Sequence, residues 1–250
     1  MSLIEVKTGD VIKKQFAFKW RSHPGVFTSL VTIQVIGILF SLMGTGAQFM
    51  GGEFFEVRSQ IFSGDLIISF TVFWGFLTAL LLTTRAYRED DFPFVSTRLT
   101  SHLSTVGFLL VVCGIAGLTA VLSENVLRAA VYTFVVQDGQ LLPAHEMEAS
   151  LFGAGMAAVI LMVFLAAGAG YLFGVFLQWN RLFLLIIPVL MFGISYLMQR
   201  SGEDGLANYL FEVLFDEANI VLFAVKALLV SITCFVGSFW IAGRLEVKRS

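Results

Sequence analysis

The chain has 250 residues, 57% of them apolar and only 14% charged, with a formal net charge of −2 and a mean hydropathy of +0.85. Soluble domains carry about 25% charge, so a water-soluble fold of this length could not cover so much apolar surface. The composition points to an all-α integral membrane protein. A β-barrel is excluded because the apolar runs are continuous rather than alternating, and no nucleic-acid partner is expected.

The first segment, residues 1–25, contains "TGDVIKKQFAFKWRSHPG". The spacing predicts a helix capped by Asp10, with Val11, Ile12, Phe16 and Trp20 on one broad face and Lys13, Lys14 and Arg21 on the other. Lys13, Lys14, Phe16, Lys19 and Trp20 are the expected interfacial residues. A basic amphipathic helix of this kind lies on the inner membrane surface, drawn there by anionic lipid. Pro24-Gly25 then breaks it and makes an elbow.

Residues 26–250 read as one transmembrane domain of six helices. Runs near 20 apolar residues match a hydrocarbon core about 30 Å thick. The expected spans are 26–49, 65–84, 103–122, 151–177, 182–198 and 219–242. The first begins behind a long basic segment and is too long for the apolar core of a cleaved leader. With the N-terminus inside, the inner segments hold Lys7, Lys13, Lys14, Lys19, Arg21, Arg85, Arg88, Arg98, Arg181, Arg244, Lys248 and Arg249. The outer ones hold Arg58, Arg128 and Arg200. Twelve basic residues against three place both termini in the cytoplasm of a cell-membrane protein.

Between spans two and three stands "TTRAYREDDFPFVSTRLTSH", residues 83–102. Asp90 or Asp91 can cap a short helix there, with Pro93 tolerated in its first turn. Phe94, Val95, Leu99 and His102 can share one side of it. Glu89, Asp90, Asp91, Phe92, Phe94, Arg98 and His102 are the expected docking residues, since a cap, apolar side chains and a mixed-charge rim describe an interface better than a solvated turn.

The outer segments 124–136 and 205–218 carry amphipathic patterns, the second through Leu206, Tyr209, Leu210, Val213 and Leu214. Span four holds Gly153, Gly155, Gly168, Gly170 and Gly174. Gly170 to Gly174 is a GxxxG spacing, fit for close helix packing within the chain or between subunits. Pro188 is expected to kink span five. Lys226 is the intramembrane charge, either snorkelling or functional. Cys113 and Cys234 sit in apolar runs and suggest free thiols. His145 stands in "PAHEME", which is not HExxH, so no metal site is expected. GxSxG and P-loop patterns are also missing, and no catalytic residue is assigned: the chain does not read as an enzyme.

The basic helix "VIKKQFAFKW", the elbow, six spans, the inner segment "REDDFPFVSTRLTSH" and the outer "LANYLFEVLF" together resemble the membrane (permease) subunit of a type-2 ATP-binding-cassette (ABC) exporter. The resemblance is one of layout and covers nearly the whole chain. It implies a dimer of permease subunits, identical or paired with a sister permease, enclosing the substrate pathway. It also implies a separate ATPase subunit that carries ATP and Mg, grips the helix around Glu89–His102 and is clamped by the N-terminal helix. No cofactor would be bound by this chain, and membrane lipid is its other partner. The long outer segment 123–150 departs from the simplest exporters. The alternatives are a secondary transporter or channel, and a membrane scaffold or sensor subunit that moves nothing.

Overall fold

The computed structural model describes residues 8–44, 46–52, 55–84, 87, 98–134, 149–180, 182–200 and 219–247. Its helices are α1 (Thr8–Ser22), α2 (Pro24–Leu42), α3 (Asp65–Leu82), α4 (Arg98–Phe134), α5 (Ala149–Trp179), α6 (Phe183–Arg200) and α7 (Ile220–Val247). Strands β1 (Gly46–Gly52) and β2 (Phe55–Ile61) form an antiparallel hairpin between α2 and α3, running from the pair Gly46↔Ile61 to Gly52↔Phe55. The bundle is therefore helical as expected. The hairpin is a correction as well as an addition: residues 46–49, expected in the first span, belong to β1, since the helix ends at Leu42, and the rest of the hairpin lies where the sequence pattern assigned no element.

Five of these helices, α2, α3, α4, α5 and α7, are long and apolar enough to cross a membrane. Within their most apolar windows no more than 44% of residues are buried. Val31, Val35 and Leu39 on α2, Leu110 and Leu118 on α4, and Val221, Leu229 and Val236 on α7 all face outward. Surface this apolar is stable only against lipid, so this is a membrane-embedded, multi-pass helical protein.

Local chemistry sets the helix ends. Pro24 opens α2, where its missing N–H costs nothing, and His23 before it leaves the helical region at φ −117°, ψ 51°. Gly44 closes α2 with φ 91°, and its amide donates to Ser41 O at 3.1 Å. A residue with a Cβ would be strained there. Asn219 caps α7 by accepting from the Val221 amide at 3.0 Å through Oδ1.

Other expected boundaries move as well. The span predicted at 103–122 and the amphipathic piece at 124–136 belong to one continuous helix, α4, of 37 residues. Span four lengthens to the 31 residues of α5. Helix α6 runs unbroken through Pro188.

The core is built around α3. Its most extensive partner is α5, and α2 and α4 pack on it as well. Phe108, Leu109, Val112, Cys113 and Ala116 of α4 meet Ile67, Trp74 and Ala79 of α3 and Val163 and Ala167 of α5 in one cluster. Glycines let the backbones approach. A Cβ on Gly117 would lie 2.8 Å from Ile160 Cα, and one on Gly75 would lie 2.9 Å from Val163 Cγ1. A Cβ on Gly170 would run into the Phe76 carbonyl, and one on Gly174 into the Thr83 hydroxyl. The GxxxG spacing thus serves packing of α5 on α3 inside the subunit.

Neighbour pairs fix the directions. Gly75 with Val163 and Thr83 with Gly174 make α3 and α5 parallel, whereas Gly117 with Ile160, Cys113 with Val163 and His102 with Tyr171 make α4 antiparallel to α5. Gly168 beside Ser231 and Leu172 beside Gly237 make α7 parallel to α5.

Candidate functional site

These directions bring together at one end of the bundle the C-terminal end of α1, the start of α2, the end of α3, the start of α4 and the ends of α5 and α7. Polar side chains concentrate there. Ser101, His102, Ser104 and Thr105 occupy the first two turns of α4, and each has a partner.

Lys19 of α1 is 5% exposed and reaches into those turns. Its Nζ donates to Thr105 Oγ1 at 2.6 Å, to Ser104 Oγ at 3.0 Å and to Ser101 O at 3.4 Å. An ammonium has three protons, and this socket offers three oxygens. The two hydroxyls spend their own protons on the helix, since Ser104 Oγ and Thr105 Oγ1 both donate to Ser101 O, at 2.8 and 2.9 Å. Their lone pairs are thereby left for the ammonium.

Aromatic rings surround the socket. Trp20 stacks near Phe16 at 6.3 Å and meets Phe27 edge-on at 5.0 Å and Phe108 at 6.5 Å. His23, at the elbow, lies with Nδ1 3.1 Å from Lys19 O and stacks on Tyr87 at 4.9 Å.

His102 works the other side of the same two turns. Its Nδ1 is hydrogen-bonded to the Tyr171 hydroxyl of α5 at 3.1 Å, and its ring lies 5.4 Å from Phe239 of α7. Gln178 Nε2 of α5 donates to the Thr83 carbonyl at the end of α3. The start of α4 is thus tied to α1 by Lys19 and to α5 and α7 by His102.

Of the residues expected from sequence, His102 lies at the centre of this joint and Arg98 begins α4. Glu89, Asp90, Asp91, Phe92 and Phe94 lie outside the described residues, as do most of the segments 123–150 and 199–218 beyond α4 and α6. On α1, Lys13 and Lys14 are exposed, Phe16 is half-buried, Trp20 is 39% exposed, and Lys19 is turned into the bundle. Lys226 is half-buried on α7, beside the buried Ala227.

Ser101, Ser104, Thr105, Tyr171 and His23 were missed as site residues. The signal for the first three is the run "STRLTSHLST", residues 96–105; Tyr171 and His23 carry none. Hydroxyls crowded at the start of an apolar helix offer a polar socket that lipid does not need. Among the described residues, no group of three or more His, Cys, Asp or Glu could hold a metal ion.

Comparisons of the chain with models of known protein families, with curated proteins and with solved structures find no match. The class therefore rests on the fold: a multi-pass helical membrane protein. Among the described residues, its most elaborate polar arrangement is one that joins helices.

Proposed function

We propose that the chain is the permease subunit of an ABC-type exporter, coupled through residues 85–102 to a separate ATPase. One observation carries the reading. The first two turns of α4, in which that charged segment ends, are held at once by α1, α5 and α7 through Lys19 and His102. A force on the segment reaches three helices without further parts. ATP binding on the partner must favour one membrane arrangement through contacts that differ between states, and this joint supplies a place for them.

The directions of α5 and α7 support six spans. Both run towards the polar end, so the chain from Trp179 to Asn219 must return to the far end between them. Helix α6, with 18 residues, covers about 27 Å at 1.5 Å per residue, close to one hydrocarbon thickness. Both termini then share a side with Arg181 and the segment 85–102. On this reading the excess of Lys and Arg there puts that side in the cytoplasm, and the membrane is the cell membrane. The substrate pathway forms between two permease subunits, and ATP and Mg stay with the ATPase.

The test is co-purification of the chain with a P-loop ATPase encoded beside it, reconstituted in vesicles. Asp91→Arg and Phe94→Asp are expected to leave basal ATPase activity in place and to lose its coupling to transport. An ATPase that binds and couples equally well to both variants, or flux driven by an ion gradient without ATPase, overturns the reading.

A further inference from the structure

Among the described residues, three buried side-chain nitrogen or oxygen atoms lack a hydrogen-bond partner: Ser41 Oγ and both amide atoms of Gln15. Gln15 is 0% exposed. It lies one helical turn before Lys19 and on the same face of α1, and that face packs on α4. The flanking positions Val11, Ile12 and Phe16 are apolar, so nothing in the stripe calls for an amide. The contact between α1 and α4 therefore contains one polar group met in full, the Lys19 ammonium, and one met not at all. A buried amide without partners weakens the packed state well below what an apolar side chain of the same size would give.

We propose that α1 is a releasable latch on α4: the Lys19 socket holds it closed, and the stranded Gln15 amide keeps the closed state from being too stable. On release the amide and the ammonium both reach water or lipid headgroups, while Val11, Ile12, Phe16 and Trp20 suit the membrane interface. The open helix is thus also a stable one, as a two-state element requires. The socket oxygens belong to Ser101, Ser104 and Thr105, so any displacement of the first turns of α4 acts on the latch directly. The inference stands on the α1–α4 contact and holds whatever the protein carries.

Hydrogen exchange of the full chain in lipid nanodiscs tests it, read at amides 12–22 of α1 with amides 108–120 of α4 as the internal standard. Gln15→Met is expected to slow exchange in α1 roughly tenfold, the factor that goes with relieving one unmet buried amide. Lys19→Met is expected to speed it by at least as much, and both are expected to leave the middle of α4 unchanged. Faster or unaltered α1 exchange in Gln15→Met, or loss of the fold, overturns the proposal, since the amide would then be stabilising. So does unaltered exchange in Lys19→Met.

Discussion

One arrangement recurs at the level of single residues. A Ser or Thr hydroxyl donates its proton to a carbonyl of its own helix and accepts a proton from a neighbouring helix. Ser104 and Thr105 do so for Lys19. Ser29 does so for Trp74, whose Nε1 lies 2.9 Å away while Ser29 Oγ donates to Val26 O. Thr119 and Thr71 do so for Gln34 of α2, whose Nε2 lies 3.0 and 3.5 Å from their hydroxyls and 3.2 Å from Ala116 O. In lipid such bonds average about 0.6 kcal/mol each, because the separated helices also find partners. Gln34→Leu is therefore expected to cost only about 1–2 kcal/mol, measured as a modest shift in unfolding of the protein in mixed micelles. A loss several times larger would mean that Gln34 organises more than the α2–α3–α4 contact. The hydroxyls themselves were visible in the sequence. Their pairing was not, because a donor such as Gln34 lies 85 positions from its acceptor Thr119 and periodicity along one helix says nothing about the next.

Among elements, the glycines separate into two kinds. Gly170 and Gly174 face α3, where a Cβ would strike the Phe76 carbonyl or the Thr83 hydroxyl, whereas Gly114, Gly153 and Gly155 have nothing within 4 Å of an added Cβ. Gly170→Ala is expected to force α5 off α3 and to cost about 3 kcal/mol or more, as overpacking of a close contact does. Gly153→Ala and Gly155→Ala are expected to be neutral or to stabilise by about 0.5–1 kcal/mol through helix propensity. Thermal unfolding followed by helix content distinguishes the two outcomes. The GxxxG spacing announced a close contact; that the partner is α3 required the fold, since small residues mark a face and not its neighbour. Helix α4 shows the opposite limit. Ser123-Glu124-Asn125 reads as an exit from the membrane, but no Gly or Pro follows before Gly139 to break the helix. The Glu124–Arg128 pair at 2.7 Å sits at the favourable i, i+4 spacing, and Ala129 and Ala130 continue it. Polarity told where the bilayer should end, and backbone propensity decided where the helix does.

For the whole molecule, the arrangement of ends is the testable statement. Single cysteines in place of Arg21, Asn180 and Gly243 are expected to react with an impermeant thiol reagent from one side of the membrane. Cysteines in place of Asp65 and Asn219, both exposed, are expected to react from the other. Cys113 is buried and Cys234 half-buried, so Cys234→Ser suffices as a background. Labelling of Asn180 and Asn219 from the same side would remove the return passage through α6 and with it the six-span layout. The membrane character and most span positions were legible in composition and run length, because lipid imposes one rule on every helix. The joint between α1 and α4 was legible only in part. The pattern placed Lys19 among interfacial cations, since a charged side chain is ordinarily turned to water and only the hydroxyl socket makes burial acceptable.

Helix α4 carries a last consequence. Its 37 residues make a rod about 55 Å long, nearly twice the hydrocarbon thickness. One end is seated in the joint, and the far stretch from Glu124 onward flanks Gly64 at the foot of the hairpin. Were the seated end to pivot by about 10°, the opposite tip would sweep through roughly 10 Å. Small adjustments at one face of the bilayer would be written large on the other.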